Sequence, residues 1–279
     1  MAGAAEETVR IVRETDRDRY LSVLFAPEDK RGALFALYSF NVEIARVRDL
    51  VREPLPGEIR LQWWRDAILG ETPAAGHRTA EALLRAIRDY NLPSAALENM
   101  IEARLFDLYD DPMPSRTDLE GYCGETASAL IQLAGLSLDR DAALATADLA
   151  GHAGCAQAMA GLLRSLPIHL ARGQCFVPRD ILSAAGTTPE GFVSEKGGPA
   201  AKRAVSAMIA LAREHLVKFE NGASELPGTL RPAYLPAALA GAYLALLSRV
   251  SVDPFRQVPD ISPLRRYLVM ARRALAGWR

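Results

Sequence analysis

Helical spacing of apolar residues is the feature that most restricts the fold of this chain. Segments rich in Ala, Leu and Arg repeat at helical intervals, and no alternating run of Val, Ile and Thr is long enough to require a sheet. Turn residues separate these segments, notably at Pro54 and Pro56, between Pro73 and Gly76, and at Pro93. The pattern predicts an all-α fold of about eight to ten helices, at roughly 11–12 residues per helix.

The length of the chain favours a single domain. Its 279 residues are 49% hydrophobic, which is enough for a substantial core, and the sequence contains no low-complexity linker and no internal repeat. We expect residues 1–17, which are rich in charge, to form a flexible tail. We expect residues 18–279 to form one helical domain.

Charge and cysteine content narrow the class of protein. The net charge of −1 gives no reason to expect a nucleic-acid partner. Three cysteines without metal-ligand spacing are typical of a reducing compartment. The N-terminal segment lacks the apolar region of a secretory signal, and no apolar run approaches the ~18–20 residues that span a bilayer. A cytoplasmic location is therefore expected.

The segment from Lys30 to Val51 has the pattern of a buried helix with a carboxylate near its end. At the spacing of an α-helix, one face carries Tyr38, Val42, Ala45 and Asp49. Asp49 is either a ligand on this face or, as is commoner near a helix end, a solvated or capping residue.

A second segment is distinguished by the carboxylates that it lacks. No Asp or Glu occurs between Asp148 and Asp180. Pro167 lies inside this segment and should kink or end its helix, because proline removes a backbone hydrogen bond and clashes with the preceding turn.

Four arginines near the two segments form a candidate site for an anion, either a phosphate or an acidic segment of a partner protein. The alternative is that they are ordinary surface residues whose apolar stems pack against the protein. These residues are Arg46, Arg48, Arg164 and Arg172.

The two segments resemble the signature helices of the squalene/phytoene synthase family, each of which carries two aspartates spaced DxxxD. Asp49 matches the second aspartate of the first motif, and Ala45 replaces the first. Ser165 and His169 replace both aspartates of the second motif. The stretch YCGETASAL resembles the helix that lines the family's prenyl pocket. The residues that the resemblance assigns to this former pocket are Tyr38, Asp49, Tyr122, Ser165 and His169.

The resemblance implies a single-domain, isoprenoid-synthase-like helical bundle with altered chemistry. In the active enzymes Mg²⁺ stabilises the diphosphate leaving group, and one carboxylate cannot hold a cluster of such ions. We therefore expect no cofactor in a non-catalytic protein, and Mg²⁺ at Asp49 only if the protein is an enzyme. His169, which has no carboxylate nearby in the sequence, is expected to be a hydrogen-bonded structural residue.

Both motifs are most similar to a degenerate branch of the family that contains the mitochondrial complex I assembly factor. The matching residues lie in 40–49, FNVEIARVRD, and in 156–169, AQAMAGLLRSLPIH. The resemblance implies a non-catalytic protein whose partner is a subunit of respiratory complex I. One alternative is an enzyme that condenses two prenyl diphosphates head-to-head. Another is a module that binds a prenyl lipid or diphosphate without turnover.

The C-terminal segment from Ile261 to Arg279 is basic and amphipathic, with five arginines and no acidic residue. Its predicted apolar stripe consists of Leu264, Leu268, Ala271, Leu275 and Trp278. The arginines on the adjacent faces are Arg265, Arg266, Arg272, Arg273 and Arg279. We expect this helix either to dock its stripe on the core or to make peripheral contact with the inner face of an anionic membrane.

Overall fold

The computed structural model describes residues 2–195, 197–249 and 251–278. In this part of the chain there are eighteen α-helices and no strand, so the all-α prediction is confirmed. The helices are α1 Ala2–Thr15, α2 Arg17–Val23, α3 Glu28–Ala45, α4 Val47–Leu50, α5 Pro54–Leu69, α6 Arg78–Tyr90, α7 Ser94–Leu105, α8 Arg116–Cys123, α9 Ala129–Leu138, α10 Arg140–Ala145, α11 Ala147–Arg164, α12 Leu166–Ala171, α13 Arg179–Ala184, α14 Pro189–Ser194, α15 Pro199–Ala223, α16 Arg231–Tyr234, α17 Ala240–Leu247 and α18 Pro263–Ala276. A π-helix, Gly124–Ser128, joins α8 to α9.

The predicted number of helices was too low. Six of the helices have only four to six residues. Their apolar spacing continues that of a neighbouring helix, so a periodic pattern alone does not separate them.

The centre of the fold is the packing of α11 against α15 and against the π-helix. The buried face of α11 is made of small residues, including Ala150, Ala153 and Gly154. A Cβ atom at Gly154 would lie 2.3 Å from Ser128 Oγ and 2.4 Å from the Ser128 backbone. The absence of a side chain at Gly154 therefore allows α11 to approach the π-helix closely.

The N-terminal segment differs from its prediction. Residues 2–15 form α1, which packs on α3 and α6, instead of a flexible tail. Ala4, Thr8 and Val12 are buried and lie four residues apart on one face. This short apolar face is interrupted by charged residues in the sequence, which is why the segment resembled a tail.

Both signature segments contain a helix break. The first is at Arg46, where φ is −94° and ψ is 2°, so that α3 ends and α4 begins with a changed direction. The second is at Ser165, between α11 and α12, and Pro167 lies in the first turn of α12. The predicted effect of Pro167 is confirmed. The prediction that Asp49 continues the face of Tyr38 is wrong, because the two residues lie on different helices.

The last helix docks by a different face from the predicted one. Leu264, Leu268 and Leu275 are 67%, 56% and 81% exposed, whereas Arg266 and Met270 are buried. Of the predicted stripe, Trp278 is buried. Arg279 lies outside the described residues.

No single described helix has both the length and the apolar character needed to cross a membrane. One bent pair, Gly228–Tyr234 with Ala237–Leu247, meets the criteria of length and composition with a 63° bend. Most of its apolar side chains, such as Leu230, Tyr234 and Leu244, belong to the buried core.

Candidate functional site

A cavity of about 570 Å³ lies between the two signature segments. Its walls come from the α1–α2 junction, the end of α3, the π-helix, the second half of α11, α17 and α18. Small apolar residues such as Val42, Ala45 and Ala127 line one part of the cavity. Charged and polar side chains line the rest of this cavity. A smaller cavity of about 260 Å³ adjoins it, and Ala45, Ser165 and His169 line both.

Of the five predicted pocket residues, three line the main cavity: Tyr122, Ser165 and His169. Tyr38 is not among the lining residues, because its side chain is buried in the core beneath α2. The Arg19 guanidinium lies 5.7 Å from the centre of the Tyr38 ring. Burial raises the pKa of the Tyr38 hydroxyl to about 12. The assignment of Tyr38 to the pocket is therefore wrong.

Asp49 lies in the smaller cavity, and its carboxylate is already paired. Arg172 Nη1 donates to Asp49 Oδ1 at 2.6 Å. Asp49 follows the break at Arg46 and does not line the main cavity, to which Val42 and Ala45 belong. A metal ion at Asp49 would have to compete with the Arg172 guanidinium for Asp49 Oδ1.

The four candidate anion-binding arginines divide into two pairs. Arg48 donates to both carboxylate oxygens of Asp110, at 3.2 and 2.5 Å, and Arg172 is held by Asp49. Arg46 and Arg164 instead line the main cavity. The predicted anion site is therefore reduced to these two arginines, because carboxylates of the chain itself neutralise the other two.

One side of the main cavity is formed by a network of side chains that the sequence pattern did not predict. Arg266 Nε donates to Asp18 Oδ1 at 2.5 Å, and Arg266 Nη2 donates to Asp260 Oδ1 at 2.7 Å. Arg266 Nη2 also lies 3.0 Å from the hydroxyl of Tyr243. The Arg164 guanidinium stacks over the Tyr243 ring, 4.6 Å from its centre. Arg266, which the sequence pattern placed on a face beside the apolar stripe, is therefore a buried residue, since its side chain is 4% exposed.

Burial sets the protonation of this network. It raises the pKa of the Asp18 carboxyl above its usual range, and the Arg266 charge opposes that shift. Burial also raises the pKa of the Tyr243 hydroxyl to about 12, so that tyrosine remains a neutral hydrogen-bonding group.

A third cluster surrounds Tyr122. Arg104 Nη1 donates to the Tyr122 hydroxyl at 2.6 Å and to Asp107 Oδ2 at 3.1 Å. The Tyr122 hydroxyl donates to Asp107 Oδ1 at 2.9 Å. Burial raises the pKa of Tyr122 well above its usual value. The opposite charges of Arg104 and Asp107 are thus paired within the protein.

The donor set does not fit Mg²⁺. Magnesium requires oxygen ligands, mainly carboxylates and waters, whereas the motif positions hold Ala45, Ser165 and His169. In the described part of the chain, no group of three His, Cys, Asp or Glu side chains is arranged to hold a metal ion.

His169 is a neutral, packed residue. Burial lowers the pKa of its imidazole to about 4, and the nearby Arg172 charge adds to this effect. Its ring lies 4.7 Å from the ring of Phe176. Among the described residues, its ring nitrogens have no hydrogen-bond partner in the protein, so His169 is packed as a structural residue would be but lacks the predicted hydrogen bond.

Several polar atoms of the cavity walls are incompletely satisfied. Within the described residues, four buried polar atoms on lining side chains have no hydrogen-bond partner in the protein. They are Arg104 Nε, Gln157 Oε1, Arg164 Nε and Arg266 Nη1. Buried polar groups are usually hydrogen-bonded, so this polar wall is suited to a polar ligand or to bound water.

The chain is similar to several known proteins in sequence and in structure. The assembly factor 6 of NADH dehydrogenase (ubiquinone) complex I from Bos taurus is 30% identical over 258 residues, which cover 91% of this chain and 77% of that protein. Presqualene diphosphate synthase from Sinorhizobium fredii is 25% identical over 270 residues, 92% of each chain. A crystal structure of a dehydrosqualene synthase superposes with a TM-score of 0.80 at 16% identity, covering 97% of this chain and 95% of that one, and thus shares the fold.

The resemblance stated from the sequence, including its likeness to the complex I assembly factor, is thereby confirmed. The sequence pattern described as squalene/phytoene synthase matches residues 12–268, nearly the whole of the helical bundle described above. With its cavity between the two broken signature helices, the chain belongs to the squalene/phytoene synthase family.

Proposed function

We propose that this protein is a non-catalytic member of the family that supports the assembly of respiratory complex I. The observation that carries the proposal is that charged side chains around the cavities, which could bind a diphosphate or its metal ions, form ion pairs with one another instead. Two of the guanidinium groups around the cavities are held by the chain's own carboxylates, in the pairs of Arg172 with Asp49 and of Arg266 with Asp18.

The chemistry of the reaction makes this replacement informative. Ionising a prenyl diphosphate creates several negative charges on the leaving group, which the active enzymes stabilise with Mg²⁺. Here the positions of three motif aspartates hold Ala45, Ser165 and His169, and the fourth carboxylate is neutralised by Arg172. These four residues therefore do not hold the cations that would balance the negative charge of the diphosphate leaving group.

The likeness to the assembly factor supports a role with complex I subunits. That protein is named for the assembly of NADH dehydrogenase, and its similarity extends over most of this chain. We infer a protein partner that belongs to complex I, and we place the function in binding and not in turnover.

A first experiment tests for remaining catalysis. Purified, folded protein is incubated with farnesyl and geranylgeranyl diphosphates and Mg²⁺, with and without NADPH, beside an active presqualene diphosphate synthase. We expect no release of diphosphate and no condensed product. Product formation that is lost in Asp49→Ala would overturn the proposal. Tight binding of a prenyl diphosphate without product would instead support the lipid-binding alternative.

A second experiment tests the assembly role. The gene is deleted in the source organism, and assembled complex I is measured by native gel electrophoresis and NADH oxidation. We expect loss of the assembled complex and rescue by the intact chain. Rescue by Asp49→Ala as well is expected, because Asp49 acts in a partly exposed ion pair. Normal assembly in the deletion strain would rule the role out.

The outer face of α18 supports a second proposal, peripheral contact with an anionic membrane at its inner face. Leu264, Leu268 and Leu275 are exposed along one side of the helix, and the exposed Arg265 and Arg272 flank them. No Asp or Glu occurs in α18. Apolar side chains flanked by cations match a bilayer surface with negative head groups.

An adjacent element enlarges this surface. The ring of Tyr267, which is half exposed, lies 6.4 Å from the ring of Phe25, and Leu24 beside it is also exposed. The apolar surface therefore extends from α18 to the end of α2.

Vesicle sedimentation tests the membrane proposal. We expect binding to vesicles with anionic lipid, little binding to neutral vesicles, and loss of binding in Arg265→Glu/Arg272→Glu. The matched control is Arg60→Glu/Arg88→Glu, which reverses two exposed charges elsewhere. Equal binding by both double variants, or by neutral vesicles, would contradict it.

A further inference from the structure

Two cysteines and two histidines meet outside the cavity, where three helices cross. Helix α8 contributes Glu120 and Cys123, and α11 contributes His152 and Cys155, each pair three residues apart and so on one face. The fifth member is His215 of α15.

Hydrogen bonds hold the cluster together. His215 Nε2 lies 3.1 Å from Glu120 Oε1, and His215 Nδ1 lies 3.0 Å from His152 Nδ1. The Cys155 thiol lies 3.9 Å from the backbone oxygen of Glu120, one turn before Cys123. Cys123 lies one turn after Glu120 on the same face of α8, and the neighbouring Cys155 thiol raises the pKa of the Cys123 thiol well above its usual value.

The third cysteine provides an internal comparison. Cys175 is buried, and its thiol contacts the backbone oxygen of Val177 at 3.6 Å. Burial raises the pKa of Cys175 to about 11, which keeps its thiol protonated and unreactive. The neighbouring Cys123 thiol and the His215 side chain instead lower the pKa of Cys155 below its usual value.

We propose that Cys123 and Cys155 form a site of reversible oxidation by hydroperoxides. The Cys155 thiolate attacks one peroxide oxygen, the O–O bond breaks, and the departing oxygen leaves as water or an alcohol after taking a proton. His215, held by Glu120, is placed to supply that proton. The Cys123 thiol then attacks the Cys155 sulfenic acid, an S–S bond forms and water leaves. Two thiols are oxidised to one disulfide as the peroxide is reduced.

Access and position support this assignment. Cys155 is 6% exposed, whereas Cys123 is fully buried, so Cys155 is the thiol that a small neutral peroxide reaches. One turn from Cys155, His152 lines an open cavity of about 520 Å³. The π-helix that directly follows Cys123 contributes Thr126 and Ala127 to the wall of the main cavity.

The test is mass spectrometry of the full chain after reduction and treatment with hydrogen peroxide. We expect loss of two hydrogens, a disulfide-linked peptide containing Cys123 and Cys155, and an unmodified Cys175. In Cys123→Ser, a sulfenic-acid probe should label Cys155. Cys175→Ser is the matched control and should oxidise like the wild type.

Two outcomes would overturn the proposal. One is that Cys123 and Cys155 remain free thiols at peroxide levels that oxidise a reference dithiol. The other is that Cys175 reacts as fast as Cys155 in the folded protein. Circular dichroism checks that each variant is folded, and the wild-type peptide map decides the question if a variant does not fold.

Discussion

Two ion-paired clusters on the same cavity system use the same chemical groups but differ in burial. The Arg266 side chain is 4% exposed between Asp18 and Asp260. Asp49 and Arg172, in contrast, are 38% and 36% exposed. A buried guanidinium that loses its carboxylate keeps the cost of desolvation, whereas an exposed one is rehydrated.

We call the buried cluster around Arg266 the wall of the main cavity, and the partly exposed pair of Asp49 and Arg172 the rim of the smaller cavity. The Arg266 cluster joins α2, α17 and α18 and forms one side of the main cavity. The pair of Asp49 and Arg172 joins α4 to the end of α12 at the edge of the smaller cavity. We expect the first cluster to govern stability and the second to contribute little.

The largest effect is expected for Arg266→Met. Removing the guanidinium leaves Asp18 half-buried without its cation, and this should lower the free energy of unfolding by about 3–5 kcal/mol. Urea unfolding followed by tryptophan fluorescence measures it. Arg265→Met, one position away and exposed, is the matched control and should change stability by no more than about 0.5 kcal/mol.

A double variant sharpens this prediction. Asp18→Asn/Arg266→Met removes both charges, so it should be more stable than the sum of the single variants indicates. Strict additivity would mean that the two side chains are not coupled, against the 2.5 Å contact between them.

We expect an effect of intermediate size for His169, which lines both cavities and should make the free energy of unfolding depend on pH. Its folded pKa is about 4 because of burial, whereas an unfolded histidine titrates near 6.5. Between these values the unfolded state binds a proton that the folded state does not. The free energy of unfolding should therefore fall as the pH is lowered from 6.5 to 4, by up to about 3 kcal/mol. His169→Gln should reduce this slope in urea unfolding measured across pH.

His77 is the control with the opposite sign. A hydrogen bond with Glu43 raises the pKa of His77 above 6.5. Its contribution to stability is therefore present below pH 6.5 and is lost as the pH rises through the folded pKa. His77→Gln and His169→Gln should therefore change the pH dependence of the free energy of unfolding in opposite directions. Changes in the same direction would refute the assignment of these two pKa shifts.

The smallest effect is expected at the rim. Arg172→Ala should lower the free energy of unfolding by only about 0–1 kcal/mol, because the pair is partly exposed. The difference from the wild type should shrink further in 1 M salt, where the Debye length falls to about 3 Å and the attraction between exposed charges is screened. A loss as large as that of Arg266→Met would erase the distinction between wall and rim.

The parts of the site that the sequence predicts correctly are those set by local spacing. Ser165 and His169 lie four residues apart and both line the cavity, and Pro167 lies in the first turn of the helix that begins after the break at Ser165. The family resemblance placed Tyr122 correctly because its motif is continuous in the sequence.

The parts that were missed depend on distant contacts. The contact of Arg266 with Asp18 joins residues 248 positions apart, so the local sequence does not predict it, although the second partner, Asp260, is only six positions away. The sequence left open whether the apolar stripe of α18 docks on the core, and the structure places Arg266 on the docked face and leaves Leu268 exposed. Tyr38 was misplaced for a related reason, because a helix buried on all sides has no single face that identifies the cavity.

The contact between Asp18 and Arg266 also has a consequence for synthesis. Asp18 leaves the ribosome 248 residues before Arg266. At about 5–20 residues per second, this delay is roughly 12–50 s. During that interval the part of the cavity wall that α18 supplies is absent. A nascent chain therefore passes through a state in which the Asp18 carboxylate lacks Arg266 and depends on Arg164 as the nearby cation that is already made.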